Sequence, residues 1–485
     1  MAKLGVQGLQ SRRRGVSSDR SFRLTTVVSY RTQLGDDNRL GMPQYVRHAV
    51  YVGKHKLEVI PMKKRSYRSV SVKVVDTKQL CQELAWKRVV VGTDVAKEKF
   101  MAVLMTEDQQ VGSTVRWNHP KETPLLIGLL VELKNSGAEI EVVMESTGSY
   151  GVAFQYALRK VGIPIYQMGA KRVHDAAEVY DGVPSKHDPK DAAIIAKLHL
   201  DGLSKPWPAP SDEQRELGAA VAIMRVFQEQ ASIQVSRLEG LLAMYWPELP
   251  RELELGSAAM SRLILKFGTP AEVSKREDEA RKMMRRMCCP AEWEKKIERV
   301  IESAKISLGV PPVAGELEAL QTLVMDMNRA QRAYRQRRKV VQEMGQQNEA
   351  ARNMSTVLGK TTAAVIVSEV GDPRDYSSAS AYMKAAGLNL KERSSGEHKG
   401  QVKITKRGSG VARQYEYFTV LRLIFRDAVV KAWYLRKVER DGGVKMKAIV
   451  AIMRKLHRAL WYVARGALFD STKLFDVRRL GLVAS

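Results

Sequence analysis

Cysteine is scarce in this 485-residue chain, which has only Cys81, Cys288 and Cys289. Adjacent cysteines seldom bridge each other, and the spacing matches no zinc site. This excludes a disulfide framework and makes a reducing cytoplasm the expected compartment. Long apolar runs are missing too: nothing reaches the length of a membrane span, and no basic amphipathic helix carries an aromatic apolar face. The basic N-terminus lacks the apolar core of a secretion signal, so a membrane partner and export are not expected. Acidic residues are few beside basic ones, 53 against 80, for a formal charge of +27. A field of that sign favours polyanions and holds phosphate backbones by counterion release, which makes nucleic acid the expected partner. There is no Walker sequence, Gly-x-Gly occurs without a strand-to-helix context, and the histidines form no ligand cluster. What remains is an ordinary soluble composition, 44% hydrophobic, on a chain long enough for two to four domains.

Five segments are expected. Residues 1–85 form a basic extension rich in Arg, Lys and Ser, with little periodicity. It is read either as a nucleic-acid-binding arm or as an upstream stretch outside any domain, with Met42 and Met62 as later starts. Residues 86–205 alternate strands and helices: a hairpin, a third strand near 112–117, a helix over 121–135, a buried strand at 140–144, a helix at 151–161, a strand at 163–168, a polar loop at 170–187 and a helix around 192–198. That order predicts a mixed sheet with helices on its faces. After the linker signal Trp207-Pro208-Ala209-Pro210, residues 206–352 form a helical region whose long charged helices, 214–244 and 314–352, predict a coiled coil or an antiparallel pair. Residues 353–470 form a mostly helical domain with a basic loop over 391–410 and helices at 411–432 and 444–465. A tail, 471–485, follows. The fold class is therefore α/β plus α.

Chemistry centres first on Val89-Val90-Val91-Gly92-Thr93-Asp94, a buried strand that ends in a carboxylate. A charge there is costly unless it is hydrogen-bonded or binds metal. Glu145 ends the run 140–144 in the same way, so two strands can present carboxylates at one sheet edge. Asp188 and Asp191 stand three apart at a helix start and share a face. Helix capping competes for this pair, because Asp188-Pro189 fits an N-cap with proline in the first turn. Four such oxygen donors suit one or two Mg²⁺ ions, the arrangement used in phosphodiester chemistry. His187, beside them, is read as a solvated loop residue.

Gly92-Thr93-Asp94-Val95-Ala96-Lys97-Glu98-Lys99, Glu145-Ser146-Thr147-Gly148-Ser149-Tyr150 and Asp188-Pro189-Lys190-Asp191-Ala192 resemble the DEDD motifs of a bacterial insertion-sequence transposase family. That family is related to Piv-type DNA invertases, and its better-known members are guided by a bridge RNA. The resemblance spans roughly residues 88–470. It implies a RuvC-like ribonuclease H fold, Mg²⁺ on Asp94, Glu145, Asp188 and Asp191, DNA as donor and target, a guide RNA, and dimers or tetramers that share composite sites.

The stretches 386–396 and 404–409 resemble the family's C-terminal transposase domain, in which a serine before glycine attacks DNA and becomes joined to it. By position Ser395 matches, with Ser394 and Ser409 as alternatives. Lys391, Arg393, Lys406, Arg407 and Arg413 are the expected phosphate contacts. The family's Pro-Gly-Ile-Gly is replaced here by Ser355-Thr356-Val357-Leu358-Gly359-Lys360, and Ser409 stands where asparagine is usual. Taken without the resemblance, the loop reads as a flexible, non-specific phosphate contact. Three rivals are a metal-dependent junction endonuclease in which water attacks, a non-catalytic nucleic-acid-binding protein of a decayed element, and an actin-like kinase. The last lacks its second Asp-Gly hairpin.

Overall fold

A computed structural model describes residues 69–481 apart from 109, 147, 180–186, 288–290, 393–399 and 401. Ser394, Ser395, Arg393, Cys288 and Cys289 lie outside the described residues. The chain divides into two compact units between Trp207 and Pro208.

The first unit is a seven-stranded sheet of order β1-β4-β3-β2-β5-β6-β7. Its strands are β1 (Ser69–Ser71), β2 (Arg88–Asp94), β3 (Lys99–Met105), β4 (Gln110–Asn118), β5 (Glu139–Glu145), β6 (Ile165–Met168) and β7 (Lys205–Pro206). The helices are α1 (Thr77–Leu84), α2 (Thr123–Asn135), α3 (Val152–Lys160), α4 (Ala170–Ala176) and α5 (Asp188–Leu200). Central β2 is antiparallel to β3 and parallel to β5, and β6 continues parallel to β5.

Alternation along the strands sorts side chains to two faces. Val89 and Val91 of β2 and Ile140, Val142 and Met144 of β5 join the core that holds Leu126, Leu130 and Leu133 of α2 and Phe154 of α3. Val90 and Val143 face the other way, toward Val173 of α4 and Ala192, Ile195 and Ala196 of α5. Both faces of β2 are covered, which is why its sequence is an unbroken β-branched run.

Two stretches differ from expectation. Residues 69–84 of the basic extension belong to the sheet unit, because β1 pairs parallel with β4, Val70 opposite Val115. Three residues without alternation leave no sequence signal for such an edge strand. The polar stretch after β6 opens with α4, a helix that buries only Val173 and Ala176, too few apolar residues to show a period.

The second unit is helical. Its first long helix is α6 (Asp212–Tyr245). Then come α7 (Leu249–Glu252), α8 (Ala258–Phe267), α9 (Pro270–Lys275), α10 (Glu277–Arg285) and α11 (Ala291–Lys305). The second long helix, α12 (Ala314–Gln347), leads to α13 (Glu349–Leu358), α14 (Lys360–Val370) and α15 (Ala379–Ala385). Short strands β8 (Leu390–Lys391) and β9 (Lys403–Ile404) pair antiparallel, and α16 (Gly410–Arg426), α17 (Ala428–Arg440) and α18 (Lys445–Val463) follow. Leu217, Val221 and Met224 of α6 share a core with Val341 of α12, while Leu238, Leu242 and Tyr245 share another with Leu320, Val324 and Met327. The two helices therefore run antiparallel within one chain, the second of the two expected arrangements. The helices expected over 314–352 and 411–432 are each split. Asn348 caps α13 by accepting from the Ala351 amide at 2.8 Å, and Asp427 caps α17 by accepting from Val430 at 3.0 Å. No helix among the described residues is long and apolar enough to cross a membrane.

One contact fixes α5 over the sheet. A Cβ on Gly92 would lie 2.3 Å from the Ala192 carbonyl oxygen and 2.7 Å from the Ala196 methyl. Only the absence of a side chain lets helix and strand approach so closely. Gly92→Ala is expected to destabilise the protein by about 1–3 kcal/mol through overpacking. Gly128→Ala, in open space on α2, is expected to stabilise it by about 1 kcal/mol through helix propensity. Thermal or urea melts of the two variants check the opposite signs.

Candidate active site

The site grows from strand register. Thr93 of β2 lies opposite Met144 of β5, so the next residues, Asp94 and Glu145, are neighbours at the carboxyl ends of two parallel strands. Alternation places both on the face that carries Gly92, under α5. That helix packs Ala196 and Ala192 against Gly92, so its first turn, with Asp188 and Asp191, arrives at the end of β2 where Asp94 stands. The helix begins with Asp188 itself, preceded by His187 in extended conformation as the cap residue. The proline-led start expected from the sequence is present, but the helix begins one residue earlier than a cap at Asp188 would put it.

The electrostatics report the gathering. The Asp94 carboxyl is pushed up from the ordinary 3.8 to about 6, first by burial and then by Asp188, Asp191 and Glu145, against a lowering hydrogen bond from the Val95 amide. Like charges that share a half-buried space disfavour each other's ionised forms. An open cleft of about 530 Å³ is lined by Asp94, Glu145 and Asp191 together with Lys171, Val173 and His174 of α4. Lys171 and His174 belong to the stretch expected to be a loop, and no sequence signal brings them here. Lys171 is paired with Asp175 at 2.7 Å. Among the described residues, no three His, Cys, Asp or Glu side chains converge tightly enough to hold a metal ion. The carboxylates are within electrostatic reach of one another without sharing one ligation point. The donor set still fits a hard divalent cation: all four groups are oxygen donors, and their mutual repulsion is what such a cation relieves.

A fifth carboxylate near the sheet does different work. Glu141 on β5 accepts from Arg88 at 2.8 Å, Tyr166 at 3.1 Å and His199 Nε2 at 3.1 Å. These hydrogen bonds outweigh burial and hold its pKa below the usual range. It ties β5, β6, β2 and α5 together at the other end of the strands.

The second unit carries the basic serine loop on a stiff base. Gly387, at φ +72°, comes so close to Arg407 that a Cβ would be 2.7 Å from its carbonyl oxygen, and a Cβ on Gly408 would be 2.1 Å from that of Ala385. The two chain segments cross there. Arg413 Nη1 donates to the carbonyls of Ala386 at 2.9 Å and Gly408 at 3.1 Å, one on each segment. The Arg413 guanidinium, expected on phosphate, is thus bound within the base of the loop. Lys391, Lys406 and Arg407 are exposed. Ser409 caps α16, accepting from the Ala412 amide at 3.1 Å and donating to Glu369 Oε2 at 2.6 Å.

Comparison with known proteins bears on both regions. A transposase family model of the DEDD type of insertion element IS110 matches residues 91–247, which include Asp94, Glu145, Asp188 and Asp191. A second, for the transposase IS116/IS110/IS902 family, matches residues 354–435, which include the serine loop. The chain is 22% identical over 365 residues to the insertion element IS110 uncharacterized 43.6 kDa protein of Streptomyces coelicolor, covering 73% of this chain and 89% of that one. Among solved structures it is similar to T. thermophilus RuvC in complex with Holliday junction substrate, at 16% identity and a TM-score of 0.20, over 25% of this chain and 99% of that one. With a DEDD model over the sheet unit, a transposase model over the loop domain and a relative spanning both, the chain belongs to the IS110 family of insertion-sequence transposases, enzymes that cut and rejoin DNA.

Proposed function

We propose that this transposase uses a RuvC-like sheet unit to hold Mg²⁺ on Asp94, Glu145, Asp188 and Asp191, and that Ser395 forms the covalent link to DNA. The observation that carries the metal site is the rise of the Asp94 pKa to about 6 among three other carboxylates, at the carboxyl ends of neighbouring parallel strands. The strand order, with an antiparallel hairpin followed by strands parallel to its first member, supports the RuvC-like reading. When bound, the divalent cation supplies charge to stabilise the oxygens of a phosphodiester under attack. Asp94 and Glu145 set its place at the sheet edge, and α5 brings Asp188 and Asp191 to it.

Strand transfer through serine splits one difficult exchange into two. The serine oxygen bonds to phosphorus as the bridging oxygen of the departing strand leaves, and a strand hydroxyl later reverses that step, so the phosphodiester's energy is kept. Lys391, Lys406 and Arg407, which flank the loop in sequence, are exposed cations suited to neutralise phosphate. Ser409 is the weaker alternative nucleophile, because its hydroxyl already caps α16 and donates to Glu369. The resemblance adds a guide RNA from the element and a dimer or tetramer that unites the two sites, and the charge of +27 accommodates both nucleic acids.

Three outcomes check this. Asp94→Asn should remain folded by circular dichroism yet lose at least a thousandfold of Mg²⁺-dependent strand cleavage; wild-type activity in that variant defeats the reading. Ser395→Ala should abolish the protein–DNA adduct trapped under denaturing conditions, whereas Ser409→Ala should keep the adduct and lose about 1 kcal/mol of stability with its cap. Full cleavage without Ser395 would instead assign attack to water. In metal-free protein, folded Asp94 takes up its proton near pH 6 and the unfolded chain near 3.8. This group's contribution to stability therefore declines as pH rises from about 4 to about 6. Melts in chelator across that window should show the decline in wild type and a smaller one in Asp94→Asn.

A further inference from the structure

A second concave site lies in the helical unit. A cavity of about 380 Å³ is bounded by α17, α18 and the segment after α18. Its floor is aromatic: the Trp433 and Phe475 rings are 4.7 Å apart and tilted by 36°. Trp433 is half-buried, with part of its ring open to the cavity, while Phe475 is buried. Its walls are cationic. Trp433, Arg436 and Arg440 follow one another at three- and four-residue spacing, one stripe of α17. Lys455 of α18 is fixed from below, donating to the Leu474 carbonyl at 2.8 Å and sitting 5.2 Å from the Phe475 ring centre.

The acids nearby are already engaged. Asp441 pairs with Lys437, leaving Arg440 at 3.7 Å, and Asp476 pairs with Arg479 at 3.1 Å. Among the described residues, no carboxylate lies within ion-pair distance of Arg436 or Lys455. A concave surface with unneutralised cations and an aromatic floor has the size of an ordinary ligand site and asks for a ligand that is anionic and flat at once. Except for Trp433, its lining lies outside the residues that the two family models match.

We propose that this groove binds single-stranded nucleic acid, with backbone phosphates on Arg436, Arg440 and Lys455 and one base against Trp433. It rests on the reading that the chain handles nucleic acid, but it uses neither the carboxylates nor the serine loop. A duplex cannot use the floor, because its bases are stacked inside. Stacking on an aromatic side chain combined with a basic track is the general chemistry of single-strand binding.

The test uses the full chain in EDTA and fluorescence anisotropy, with labelled oligo-dT, oligo-U and a duplex as probes across a salt series. Arg436→Gln/Arg440→Gln should weaken single-strand binding about tenfold and flatten the salt dependence by about 1.4, the slope of two lost phosphate contacts. Arg329→Gln/Arg332→Gln, the same charge change on α12, should leave that slope in place. Trp433→Leu should weaken binding about tenfold at unchanged slope, with the melt reporting that the fold is kept. The tighter of oligo-dT and oligo-U identifies the source as DNA or RNA. Ultraviolet crosslinking of an iodo-pyrimidine strand should label the peptide that holds Trp433 or Phe475. The proposal is overturned if the α17 double variant behaves as the α12 control does, if duplex competes as well as single strand, or if crosslinks fall only elsewhere. Loss of cleavage in Asp94→Asn is independent of every one of these outcomes, so the two readings fail separately.

Discussion

The sheet unit depends on the approach of α5 to Gly92. A helix normally stands off a sheet by the depth of the side chains between them, and here that depth is reduced to one missing Cβ. Ala192 and Ala196 complete the contact with the smallest side chains that still favour helix. The consequence is chemical as well as mechanical. A helix held this close delivers its first turn to the strand's end, and the first turn is where Asp188 and Asp191 lie. Two residues beyond Gly92, on the same face, Asp94 waits. Glycine, alanine and aspartate thus form one arrangement: the small residues set the distance over which the charged ones repel.

That repulsion is an unfavourable interaction built into the fold, and the unit bears it because the rest of the sheet is well satisfied. Val89, Val90 and Val91 are fully buried, both faces carry helices, and the one other half-buried carboxylate of β5, Glu141, is surrounded by Arg88, Tyr166 and His199. The contrast between Glu141 and Glu145 is instructive, since both sit on the same face of the same strand. One is held by donors from three elements and its pKa falls; the other stands beside Asp94, whose pKa rises through burial and the three neighbouring acids. Strongly perturbed carboxylates in a cleft mark a candidate functional site.

How much of this was legible in the sequence follows from the range of each interaction. The central strands announce themselves, because a strand buried on both faces must be apolar throughout, and a carboxylate at the end of such a run is conspicuous. Asp94 and Glu145 were therefore readable, as was the proline-led start of α5. The role of Gly92 was not, since its partners lie far along the chain and a glycine before a turn has simpler explanations. The edge strand at 69–71 and helix α4 were missed because each buries too little to impose a period, and with α4 went Lys171 and His174. The breaks at Asn348 and Asp427 carried a signal, a capping side chain, that the strong helical pattern on either side concealed. Arg413 was read as a phosphate ligand because a basic loop suggests it. The carbonyls of Ala386 and Gly408 that take its hydrogen bonds are brought together only by the crossing of two glycine-bearing segments.

The same crossing sets where the two segments that flank the basic loop lie. Here the ends are fixed by backbone contact at Gly387 and Gly408, by the β8–β9 pair, and by the Thr405 hydroxyl, which donates to Asn389 Oδ1 at 2.6 Å. Arg413 and Arg454, the latter donating to the Leu388 carbonyl at 2.8 Å, anchor those ends to α16 and α18. Two arginines in a strongly basic chain are thereby turned inward as structural donors, and the exposed Lys391, Lys406 and Arg407 are left to face the solvent. Excess charge alone would attract nucleic acid anywhere on the surface. The division of cations between those that hold the loop and those that flank it is what can make attraction local.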